Sequence, residues 1–234
     1  MPWTPFHPAF ALPFFGLSKK PFVLASLVIG SMAPDIPYFV LLRFVSWWHT
    51  FPLLFLYGIP ASLLLAYVWV KYIQTPFMEA VPFKWKKEVT YNGLNWRDLL
   101  FGGVMATVGI LTHVGIDGFT HRDGYAVQYI PLLQAQLLLL GKSMFVWHWL
   151  QYTLSGVGLI LLMGYIAIHS ETKPLDHLAL LFWLRAGVFA FVLAGVVGAL
   201  RYPFEALTIP GVIIISSTLL GIGFAALTAR QVSR

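Results

Sequence analysis

Apolar residues run along this chain in long unbroken stretches, not in the alternating or one-faced patterns of a soluble fold. A helix needs roughly 20 mostly apolar residues to cross the hydrocarbon core of a bilayer, and residues 50–73, 98–117, 144–168, 178–200 and 206–229 reach about that length. They are too long and continuous for strands, and a backbone in lipid must satisfy its own hydrogen bonds. Each is therefore a predicted spanning helix. The first 49 residues follow another pattern. Residues 21–33 are apolar but short, Pro34-Asp35-Ile36-Pro37 interrupts them, and residues 38–48 are apolar again but contain Arg43 and end in Trp47-Trp48. Two readings stand: a pair of short helices, re-entrant or lying along the interface, or one broken span with Asp35 near mid-membrane, which makes six crossings. Prolines at 2, 5, 8 and 13, with no basic leader before an apolar run, argue against a secretory signal peptide. The expected architecture is an all-α integral membrane protein with about five transmembrane helices. A single membrane domain over 1–234 comprises an irregular part at 1–49, three spans within 50–168 and two more within 178–229.

Composition sharpens this picture. Hydrophobic residues make up 59% of the 234 and charged residues 10%, against about 25% charged in soluble domains. So few charges cannot cover a water-soluble surface, which excludes a soluble domain and a disordered chain. With no cysteine, disulfides, thiolate metal sites, iron–sulfur clusters and cysteine nucleophiles are excluded. The net charge of +6 comes from Lys and Arg placed mostly between apolar runs, where they set topology; no nucleic-acid partner is expected. The densest basic cluster, Lys71, Lys84, Lys86, Lys87 and Arg97, flanks or lies in the loop 74–97. The positive-inside rule makes that loop cytoplasmic in a cell (inner) membrane.

Alternation of the spans then gathers polar residues on the outer face. His49 begins one span, His113 and Asp117 end the next, and His148 begins the third; His7, Asp35 and His121 lie in the adjoining segments. His113 and Asp117 are four residues apart, so they share one helix face and stand near enough to chelate one ion. His121 extends that face if the helix continues, whereas Gly118 is a candidate end. Imidazole and carboxylate donors suit zinc first, with manganese and iron as alternatives. Ionisable groups at membrane depth are costly and usually functional. Plainer readings remain beside this one: a hydrogen-bonded His–Asp pair at the interface, an aromatic belt for the tryptophans around His49 and His148, and a turn or cap role for Asp35.

With these residues in view, the chain resembles an uncharacterised prokaryotic multi-pass membrane family, a domain of unknown function. The resemblance rests on Pro5-Phe6-His7-Pro8-Ala9, on Ile29-Gly30-Ser31-Met32-Ala33-Pro34-Asp35, and on His113 through Gly124 with its continuation to Pro131-Leu132-Leu133. More loosely it is similar to membrane-bound metal-dependent hydrolases, through the Ala-Pro-Asp turn and later histidines. Remotely, the order of its histidines and aspartates is similar to the ligand order of the zinc-dependent phospholipase C and nuclease superfamily. That likeness implies Asp35, His49, His113 and Asp117 around one metal, His7 with a bridging Asp117 at a second, and His121 with His148 at a third. Met1 ahead of Trp3, and Tyr152 in place of an acid, depart from the superfamily pattern. One or two metals is the resulting expectation.

The leading expectation is a divalent-metal hydrolase at the outer membrane interface, with Asp117 and His121 catalytic. Its substrate would be a lipid or other amphiphilic phosphoester. The alternatives are a non-enzymatic membrane protein that uses the cluster for metal binding, transport or structural support, and a haem protein. Neither a His-Glu-x-x-His motif nor a rhomboid-type serine motif is present, since Tyr152-Thr153-Leu154-Ser155-Gly156 lacks the leading glycine.

Overall fold

A computed structural model describes residues 4–41, 52–86, 91, 93–201 and 209–232. The chain is all-helical in its main elements. Short 3-10 turns at Thr4–Phe6 and Leu12–Leu17 bracket α1 (Pro8–Ala11), followed by α2 (Pro21–Gly30), a 3-10 turn at Ala33–Asp35 and α3 (Ile36–Leu41). Helix α4 (Leu53–Val68) passes through a π-helical turn, Trp69–Ile73, into α5 (Gln74–Ala80). After β1 (Phe83–Trp85) come α6 (Trp96–Thr120), α7 (Tyr125–Tyr129), α8 (Pro131–Gln134) and the hairpin β2 (Gln136–Leu139) and β3 (Lys142–Phe145). Helix α9 (Val146–His169), β4 (Ser170–Thr172), α10 (His177–Arg201) and α11 (Ile209–Val232) complete the order.

Among the described residues, five helices are long and apolar enough to cross a membrane: Leu53–Ala80, Trp96–Tyr129, Val146–His169, His177–Ala199 and Val212–Ala229. The N-terminal pair bends by 57° between Pro21–Gly30 and Ala33–Val40, as a broken span or a re-entrant loop would. The break falls at the Pro34-Asp35 turn, where proline removes a donor from the helix ladder. The second candidate span runs on past residue 117 to Tyr129, and the first also departs from the sequence expectation at its end. Residues 74–80, assigned to the basic loop, continue the first span as α5. Pro76 lies in the first turn of α5, where a missing N–H breaks no intrahelical bond, and the π turn before it absorbs the change of register.

The core around the future site is a three-helix contact of α2, α4 and α6. Leu27, Phe22 and Val23 of α2 pack with Ala66 of α4, Val70 of the π turn and Met105 of α6. Helices α2 and α6 run parallel and approach at small residues: a Cβ on Gly30 would stand 2.5 Å from the Ala106 carbonyl oxygen, and one on Gly109 would overlap the Leu27 carbonyl and stand 2.6 Å from the Ser31 nitrogen. Such close backbone approach substitutes, in lipid, for the missing hydrophobic drive between helices. At the far end of the same pair, Lys20 pairs with Asp98. Asp98 also closes a capping box with Asn95 at the start of α6.

The other helices frame this unit. Antiparallel strands β1 and β4 pair Phe83 with Thr172 and Trp85 with Ser170, so the connections after α5 and α9 lie at one end of the bundle. Lys173 Nζ donates to the carbonyls of Met78 and Glu79, at 2.9 and 2.7 Å, satisfying acceptors of the last turn of α5. Helices α10 and α11 form a hairpin through Ala179, Phe182, Ala186, Ala225 and Ala226. It joins the rest through Trp183 Nε1, which donates to the Ala80 carbonyl at 2.7 Å, and Ser216 Oγ, which donates to Phe39 at 3.0 Å.

Candidate metal centre

The buried face of α6 explains where the site lies. Gly102, Ala106, Gly109, His113 and Asp117 recur at spacings of four, three, four and four, and all five are buried, so they form one stripe facing the protein interior. The first three have no bulk and admit α2. The last two carry an imidazole and a carboxylate to the end of α2, where His113 meets Ser31.

His113 is fixed first. Its Nδ1 donates to the Ser31 carbonyl at 2.8 Å; the carbonyl can only accept, so Nδ1 carries the hydrogen and Nε2 faces inward. That Nε2 lies 3.0 Å from Oδ2 of Asp117 and 3.7 Å from Oδ1 of Asp35. Asp35 sits on the turn after α2, and Tyr57 of α4 holds that turn by donating to the Ala33 and Pro34 carbonyls at 3.1 and 3.3 Å. The third element is the N-terminal segment. Phe6 packs over Gly158 of α9, and His7 stacks on His113 with ring centroids 3.9 Å apart and planes 17° from parallel. His7 Nε2 stands 3.9 Å from Asp117 Oδ1.

One donor atom each from His7, Asp35 and His113 lies within 4.8 Å of the others, and all three residues are buried. A buried His/Asp/His group of this kind could hold a metal ion. Burial, and after it the His113 ring beside it, pushes the pKa of His7 down from 6.5 to about 3, so the imidazole is neutral at physiological pH, the form that ligates. Both His7 ring nitrogens are buried with no hydrogen-bond partner among the described residues, which is costly in an apolar interior. A neutral His113 also turns an Nε2 lone pair toward two carboxylates, an arrangement that needs a cation: either a proton on Nε2 or a metal ion. Tetrahedral ligands at 2.0–2.1 Å stand about 3.3 Å apart, close to the separations of 3.0 to 3.9 Å quoted above. These separations are of the size that shared ligation requires.

A model of the family described as domain of unknown function DUF4184 matches residues 1–229. The chain belongs to that family. No curated protein and no solved structure matches it.

Of the residues singled out in the sequence, the structure gathers His7, Asp35, His113, Asp117 and His121. His121 ends α6: its backbone is extended, with its N–H bonded to the Asp117 carbonyl, and its Nδ1 stands 3.5 Å from Asp117 Oδ1. It is the most exposed member, with 34% of its side chain accessible. His148 is held by stacking between Trp147 and Tyr152, at centroid distances of 5.0 and 5.2 Å, and is not one of the three convergent donors. His49 lies outside the described residues.

Sequence reasoning missed two supports. The Ser31 carbonyl, a backbone group, leaves no trace in residue type. Thr4 does: it precedes His7 by one 3-10 turn, and its hydroxyl donates to Asp35 Oδ2 at 2.6 Å. The Ser31 carbonyl orients His113 and raises its basicity, and the Thr4 hydroxyl fixes the orientation of Asp35. Thr4→Val keeps the shape and removes the donor, and it is expected to weaken metal binding about 10–100-fold, checked by competition against a chromophoric chelator.

Proposed function

We propose that this protein is a metal-dependent hydrolase, acting on a lipid phosphoester or related amphiphilic ester at the outer interface of the cell (inner) membrane. In this reading 1–234 is a single membrane domain with the basic connection before α6 on the cytoplasmic side. One observation carries the proposal: ligand atoms of His7, Asp35 and His113, supplied by three separate elements, converge in a buried space edged by Asp117. The loose resemblance to membrane-bound metal-dependent hydrolases is in keeping with it, and the remote likeness to the phospholipase C and nuclease superfamily adds His49 as a further ligand. Zinc is the first choice, with manganese and iron as alternatives.

A divalent ion in this set supplies a Lewis acid for a phosphoryl or acyl oxygen and a water acidified toward neutrality. The chain's own residues do the rest. His7 and His113 present neutral nitrogens, and Asp35, oriented by Thr4, supplies a carboxylate. Asp117 faces the same space and His121 at once, so it accepts a proton at Oδ1. His121, at the accessible edge, passes that proton to solvent and returns one to the leaving group.

The test is turnover. Metal-loaded protein is incubated with long-chain phosphomonoesters and phosphodiesters in mixed micelles, and phosphate or headgroup release is followed. Turnover is expected, lost on chelation and restored by the ion. His121→Ala is expected to lower it about 10²–10⁴-fold with metal content unchanged. A second reading, a metal site of structural support, is favoured by the depth of the donors: Asp35 and His113 have no accessible surface. Loaded protein that hydrolyses neither phosphoesters nor carboxylic esters contradicts the hydrolase and leaves that reading.

A further inference from the structure

The hairpin β2–β3 is built against the rules for a hairpin in water. Its two-residue turn, Leu140-Gly141, has φ of +51° and +75°, the left-handed conformation of a type I′ turn, where Asn or Asp followed by Gly is the usual choice. Leu140 is the only positive-φ residue other than glycine among the described residues. A leucine there gains nothing locally and is strained. It is also 94% exposed. Leu137, Leu138 and Leu139 precede it, and all three are exposed although neighbours along a strand point to opposite faces. Neither face of this two-stranded ribbon is covered.

Its surroundings say what covers it. The ribbon leads directly into α9, one of the membrane-length helices, whose apolar side chains Ile160 and Met163 are likewise exposed. Trp149 of α9 donates from Nε1 to the Leu137 carbonyl at 3.0 Å, and Val146 N–H bonds the Ala135 carbonyl, so the ribbon is fastened to that helix. Tryptophans 147 and 149 stand at its base, the residue type that marks the membrane–water interface, and Lys142 follows the tip with a stem long enough to reach headgroups. The ribbon's base is tied to the candidate metal centre. Tyr125 packs directly on Gly118 of α6, one residue after Asp117, and Ala126 and Val127 of α7 pack against Val146 and Trp147.

We infer that the β2–β3 ribbon inserts its leucine tip into the acyl region of the adjacent lipid leaflet, anchoring the end of the bundle that carries His113, Asp117 and His121 at headgroup level. The partner is lipid hydrocarbon, continuous with the apolar surface of α9. The inference is independent of whether the centre hydrolyses anything.

The absence of cysteine makes the test direct. L140C and L138C, and E171C in β4 as the aqueous reference, are labelled with NBD and placed in nanodiscs of phosphatidylcholine and phosphatidylglycerol, which leave both faces open. Labels at 140 and 138 are expected to emit at shorter wavelength than that at 171. They should lose most of their emission to lipids carrying a nitroxide on a shallow acyl carbon, and little to an aqueous nickel chelate. Position 171 is expected to show the reverse. Two results overturn the inference: labels at 138 and 140 quenched like that at 171, which places the ribbon in water, or labels shielded from both quenchers, which places it under protein, such as a second copy of the chain. Position 138 serves if the variant at 140 is not monodisperse.

Discussion

Gly109→Ala is expected to unfold the centre of the molecule, although it adds one methyl group to a helix in which alanine is ordinarily favoured. The new Cβ would overlap the Leu27 carbonyl and stand 2.6 Å from the Ser31 nitrogen. Both are backbone atoms, so no side-chain rotation relieves the clash, and α2 must move off α6. Overpacking relieved by side-chain shifts costs about 1–3 kcal/mol; a rigid backbone contact lies at or above the top of that range. The displacement also withdraws the Ser31 carbonyl from His113 and the Asp35 turn from its place, so metal binding is lost together with stability. Gly115→Ala is the matched comparison. It lies on the same helix with nothing within 4 Å of its Cβ, and is expected to be neutral or to stabilise by up to about 1 kcal/mol. Thermal unfolding in detergent, with size-exclusion profiles, distinguishes the two. Equal tolerance would contradict the close approach of α2 and α6.

The second large effect is expected from removing donors. His113→Ala with Asp117→Asn deletes an imidazole and a carboxylate from the centre and leaves His7 and Asp35 buried opposite a void. The variant is expected to lose its ion. A ligand present at a thousand times its Kd stabilises the folded state by about 4 kcal/mol, and the variant forfeits whatever part of this the parent enjoys. Acid acts in the same direction: protons compete with the ion for the imidazoles and carboxylates, so affinity falls as pH falls.

Much of this was legible in the sequence because the bilayer imposes a length rule. Helices α6, α9, α10 and α11 follow the expected runs within a few residues, and the break at Pro34-Asp35 follows from proline chemistry. The first span runs on to Ala80 past Pro76, and the π turn that lets it do so leaves no mark in the apolar pattern. His113 and Asp117 were visible as an i, i+4 pair. Their union with His7 and Asp35 in one group depends on how closely α2 lies to α6. The remote resemblance to the zinc-dependent phospholipase C and nuclease superfamily divided the ligands among several metals, with His7 beside Asp117 and apart from His113; in the structure His7 stacks on His113 and its Nε2 stands 3.9 Å from Asp117. His148 stands at the start of a span, as its sequence position indicates, and stacks with aromatic rings at i−1 and i+4. The leucine ribbon was hidden inside a stretch whose apolar character reads as the approach to a span.

The most direct test of the metal centre is the metal content of the detergent-purified protein, measured by elemental analysis beside the His113→Ala, Asp117→Asn variant. Stoichiometric zinc, manganese or iron is expected in the parent, and none in a variant that still elutes as a folded species. A parent without metal, even after exposure to each of these ions, would contradict the site. His7, Asp35, His113 and Asp117 would then be a buried network held by a shared proton.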